Sequence, residues 1–112
     1  MTLQDLTADE KIALAGLVRM LVRADGEFSS AEVSAVTQLG KELGSMEFWK
    51  LMSLAQQTLE DANDVMDAVA QVERPEVREW IYGVLIGLAA VDGIDEAEGT
   101  VLDWVMQVWD MK

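Results

Sequence analysis

An all-α bundle of about six helices is what this 112-residue sequence predicts, and three observations predict it. Apolar residues recur at three- and four-residue spacing along most of the chain, and no stretch sustains the alternation of a strand. Just over half of the residues are hydrophobic and only one is proline, which at this length suffices for a real core. The third observation is an internal echo. Ala24-Asp25-Gly26-Glu27-Phe28-Ser29-Ser30-Ala31-Glu32 is matched by Val91-Asp92-Gly93-Ile94-Asp95-Glu96-Ala97-Glu98, with the two Asp-Gly pairs 67 residues apart. Each copy follows an apolar run and precedes a helical one. Residues 1–112 therefore read as one compact domain containing a pseudo-two-fold repeat of two helix-loop-helix units.

Taken in order, the first helix is expected over about 8–24. Thr7-Ala8-Asp9-Glu10 has the form in which a hydroxyl and a carboxylate satisfy the free amides of a helix start reciprocally. Leu14, Leu17, Val18, Leu21 and Val22 supply its apolar stripe, with Lys11, Arg19 and Arg23 elsewhere. The second helix runs from Ser30 to about Leu43, with Val33, Val36, Leu39 and Leu43 on one stripe and Gly44 as the stop. Ser45 opens a third, carrying Phe48, Trp49, Leu51, Met52 and Ala55. Asp61 or Asn63 caps a fourth that reaches about Val72 and turns Val65, Met66, Val69 and Val72 inward. The acids Asp61, Asp64 and Asp67, three residues apart, read as a solvated stripe.

Pro75 is well placed as the first residue of a fifth helix. From Trp80 to Val91 that helix is apolar all round, which predicts a central position among several neighbours. Gly83, Gly87, Ala89 and Ala90 would admit those neighbours closely. The last helix, from Glu96 to about Asp110, places Val101, Leu102, Val105, Met106 and Trp109 inward. Most of the four tryptophans and seven methionines sit at core spacing. Trp104, Trp109 and Met111 are left as candidates for an exposed contact surface.

Composition removes several chemistries. With no cysteine and no histidine there are no disulfides, no Ser-His or Cys-His nucleophiles, and no zinc sites built on nitrogen or sulfur. Twenty-one acids against eight bases give a net charge of −13, which repels nucleic acid and anionic membrane surfaces alike. Such a surface attracts cations and basic protein surfaces. The longest apolar run, 80–91, is too short to span a bilayer, and Met-Thr-Leu-Gln-Asp carries no basic signal segment. A soluble, cytoplasmic protein without direct membrane insertion is expected. With so many carboxylates, acid pairs arise by chance and argue for no enzyme.

The two elbows are the chemically informative places. Counted from Leu21, Asp25, Gly26, Phe28, Ser29 and Glu32 fall at positions 5, 6, 8, 9 and 12 of an EF-hand loop. Leu21 and Arg23 then occupy ligand positions 1 and 3, where neither can coordinate calcium. The second elbow is one residue shorter between glycine and cap, so two independent EF-hands fail. If the pseudo-two-fold brings the elbows together, Asp25, Glu32, Asp92 and Glu98 can converge on one hard cation of the calcium, magnesium or manganese type. Helix capping alone accounts for Ser29 with Glu32 and Asp95 with Glu98. It does not account for Asp25 and Asp92, since an anion at a helix C-terminus opposes the dipole.

On these residues the chain resembles the TerB-like, tellurite-resistance family. The resemblance lies in the two Ala/Val-Asp-Gly motifs, each running into a Ser/Asp-x-x-Glu helix start, and in Arg74-Pro75-Glu76-Val77-Arg78 leading an apolar helix into the second motif. It covers about Thr7 to Trp109. The second motif departs by one missing residue between Gly93 and Asp95 and by Gly99 within the following helix. The resemblance implies an all-helical domain whose paired acidic motifs bind a divalent cation, acting in tellurite or other chemical-stress systems and in their protein complexes. Asp25 and Glu32 match the first motif, Asp92 and Glu98 the second. Two readings result: a non-enzymatic cation-binding protein of this type, and a protein-protein interaction module whose acidic face meets a basic partner without metal.

Overall fold

A computed structural model describes residues 2–23, 30–90 and 96–110, with the backbone only at residues 31 and 32. Among the described residues six α-helices follow a short 3-10 turn at Leu3–Asp5: α1 (Ala8–Val22), α2 (Ser30–Leu43), α3 (Ser45–Thr58), α4 (Ala62–Ala70), α5 (Pro75–Ala89) and α6 (Glu96–Val108). Among the described residues there is no strand. The helices close into a nearly isometric body of 32 × 31 × 27 Å. The expected all-α bundle is therefore the observed fold.

The helix starts follow the local chemistry. Thr7 and Glu10 form the expected reciprocal box, the Thr7 amide donating to Glu10 Oε1 at 2.7 Å and the Glu10 amide to Thr7 Oγ1 at 3.2 Å. Gly44 separates α2 from α3 at φ 102°, a conformation that costs a residue with a Cβ dearly. Pro75 is the first residue of α5.

Asp61 caps α4 by accepting from the Asp64 amide at 3.0 Å, and Asp64 Oδ2 accepts from the Glu60 amide at 2.8 Å. Two of the three acids read as a solvated stripe thus secure a helix start, and only Asp67 is simply exposed. α1 ends at Val22, two residues before the expected limit, and α4 ends at Ala70 rather than Val72.

The middle of the molecule corrects the sequence reading. α1, not α5, is the central helix, packing on α3, α4, α5 and α6. Ala13, Leu14, Ala15, Gly16, Leu17 and Val18 are all buried, a continuous run round the helix. Small residues make this possible: a Cβ built on Gly16 would stand 2.7 Å from Leu59 Cδ1 and 3.4 Å from Val65 Cγ1. α5 buries Val77, Ile81, Leu85, Leu88 and Ala89, while Gly83 and Gly87 are exposed, and no described residue comes within 4 Å of a Cβ built on either. Among the described residues these glycines admit no neighbour.

Two further expectations change. Val33 and Met66, placed on inward stripes, are exposed. Trp109, set on the inward stripe of the last helix and also kept as a contact candidate, is buried, and its Nε1 donates at 2.9 Å to the Val69 carbonyl in the last turn of α4. Trp104 is half-buried against the core, and Met111 lies outside the described residues. An aromatic N–H that closes an open helix end repays burial of the whole ring.

Candidate metal centre

Each Asp-Gly motif falls between two helices of similar length. α1 and α2, of 15 and 14 residues, flank the first; α5 and α6, of 15 and 13, flank the second. These four helices pack together, α5 against α1, α2 and α6, and α1 against α6. α2 starts at Ser30 and α6 at Glu96, each one residue after its expected cap. The caps themselves, Ser29 and Asp95, lie outside the described residues.

Of the four carboxylates assigned to a cation, Asp25 and Asp92 lie outside the described residues. Glu32 stands in the first turn of α2, and its side chain is likewise outside the description. Glu98 is described. It sits in the first turn of α6 with 6% of its surface exposed, one of two buried charged residues among those described. The N-terminal end of a helix favours an anion there. Among the described residues no three Asp or Glu side chains gather closely enough to hold a metal ion. A shared site would thus combine Glu98 with groups from both elbow segments.

The other buried charge is Glu10, and its setting explains a motif that sequence reasoning left without a role. Arg74, the residue before Pro75, donates from Nε to Glu10 Oε2 at 2.8 Å and from Nη2 to Glu10 Oε1 at 2.5 Å. The same Nη2 donates to the Asp5 carbonyl at 2.8 Å. This two-pronged pair, together with the Thr7 amide, holds the Glu10 carboxyl down to about 2 against the opposing effect of burial. Arg78 donates from Nε to the Val72 carbonyl at 2.8 Å. Arg74 and Arg78 therefore fasten the start of α5 to α1 and to the end of α4. The signal in the sequence was a glutamate at a capping position whose remaining oxygen needed a donor 64 residues away, and spacing alone does not reveal such a donor.

Within this acidic all-α body two helix pairs, α1 with α2 and α5 with α6, each hold an Asp-Gly segment between them, and α1 is the buried central helix. The chain belongs to the family described as tellurite resistance protein TerB, whose model matches residues 11–111. No curated protein and no solved structure matches it. None of the described helices is long and apolar enough to cross a membrane.

Proposed function

We propose that this protein is a non-enzymatic, cytoplasmic member of a tellurite or chemical-stress response that binds one hard divalent cation, calcium, magnesium or manganese, between its two elbows. Asp25 and Glu32 supply one half of the site, and Asp92 and Glu98 the other. The observation that carries this reading is the packing against one another of α1, α2, α5 and α6, the four helices that flank the two Asp-Gly motifs. The place of Glu98 in the first turn of α6, shortly after the second motif, supports it further.

Titrating each cation calorimetrically into chelator-treated protein tests the proposal. Binding heat and a raised melting temperature are expected with at least one of the three. Asp25→Asn combined with Asp92→Asn should abolish both while leaving the helical spectrum intact. A metal response that survives the double change removes the shared site. The net charge of −13 favours the second reading, an acidic face for a basic protein of a stress complex. Under that reading the double change alters salt-sensitive capture of the partner, and no metal heat is seen.

A further inference from the structure

The exposed apolar surface is concentrated on α3. Met46, Trp49 and Leu54 are 72%, 47% and 50% exposed, and with Lys50, Ser53 and Gln57 they line an open groove of about 650 Å³ along one side of that helix. Trp49 is held ready: its ring stands edge-on to Phe48, centroids 5.2 Å apart, and its Nε1 lies beside Gly40 of α2, 3.6 Å from where a Cβ would be. An aromatic anchor fixed before contact loses little freedom on binding.

We infer that this face is a self-association surface, where a second copy of the chain lays its own α3 antiparallel across a two-fold axis passing between Leu51 and Met52. Charge selects the occupant. In a body of net charge −13, the stretch between Glu47 and Glu60 has no acid, and among the described residues the groove is lined by one lysine and no carboxylate. A basic partner would find nothing there to pair with and would meet Lys50. Another acidic body can approach by this face without pressing carboxylates against carboxylates.

The register is also self-complementary, as an isologous contact requires. The axis sets Trp49 opposite Leu54 of the other copy, Lys50 opposite Ser53 and Met46 opposite Gln57. Aromatic thus meets aliphatic, and ammonium meets hydroxyl. Ser53, small and near the axis, lets the two helices come close. One helix face buries less than the roughly 1,200 Å² of a standard interface, so the dimer is weak and concentration-dependent.

Sedimentation of the full chain over a range of concentrations, at low and at high salt, provides the test. The mass should climb from 12.4 kDa towards twice that value, and further at high salt, where repulsion between the acidic bodies is screened. Met46→Glu with Leu54→Glu should remain monomeric throughout with unchanged helix content and melting temperature. Because the chain has no cysteine, Ser53→Cys gives an unambiguous cross-link under mild oxidation, and Thr37→Cys on exposed α2 serves as the control. Disulfide dimer should form several-fold faster at position 53. A monomer at every concentration with equal cross-linking rates overturns the inference. So does a dimer that survives both charge substitutions, or capture of a basic amphipathic peptide at Trp49 that salt abolishes.

Discussion

α1 and α5 are two 15-residue helices that each lead into an Asp-Gly motif, yet they occupy opposite roles. α5 is the more uniformly apolar in sequence and lies towards the outside, with Gly83 and Gly87 open to solvent. α1 carries more charge and is the axis of the bundle, because Ala13, Ala15 and Gly16 let other elements reach it on sides where no large apolar residue announces a core. Apolar content says how much surface a helix can bury. Side-chain size decides how many neighbours reach it. The two helices are tied at their starts by Arg74 and Glu10.

The largest effect should come from paired truncations. Leu17→Ala in α1 removes a fully buried side chain and should cost about 3–4 kcal/mol, whereas Ile86→Ala in α5, only half-buried, should cost about 1–2 kcal/mol. Denaturant midpoints of the two variants measure the difference directly, and equal losses would return α5 to the centre.

Next comes the tie itself. Arg74→Ala leaves Glu10 buried without its guanidinium and should lower the denaturant midpoint at neutral pH. The carboxyl of Glu10 is lowered from 4.5 to about 2, so its stabilisation is fully present above pH 4.5 and is lost as pH falls through about 2. Acid unfolding profiles of the parent should fall across that window, and those of Arg74→Ala should fall less. Identical slopes would remove the pair from the acid response.

The smallest effects have opposite signs. Gly83→Ala and Gly87→Ala should each stabilise by about 0.5–1 kcal/mol, since alanine is the better helix former and the added methyl meets nothing. Gly16→Val should destabilise by about 1–2 kcal/mol, because its branches run into Leu59 and Val65. Thermal melts of the three variants sharpen the contrast between the helices, and a stabilising Gly16→Val would erase it.

Much of the fold was legible because it is local. The Thr7–Glu10 box, Gly44 at φ 102° and Pro75 at the first position of α5 depend on chemistry within three or four residues. The starts of α2, α3 and α6 agree for the same reason. The inward place of Trp109 follows from helical spacing, but its partner, the Val69 carbonyl, lies 40 residues away and could not be read. Of the candidate site, the duplication of Asp-Gly and the helix-start position of Glu98 could be read from the chain. The burial of Glu98 could not, since it depends on what packs over the first turn of α6.

By itself the sequence determined the helical class, the helix starts, the acidic character and the repetition of the two motifs. All of these follow from hydrogen bonds within a turn or from composition. Only the tertiary structure decided that α1 is the axis, that Arg74 closes on Glu10, that Trp109 bonds to Val69 and that no described residue covers the α3 face. Those outcomes depend on which surfaces fit one another at contact distance, and side-chain volume sets that fit across dozens of residues where periodicity carries no information.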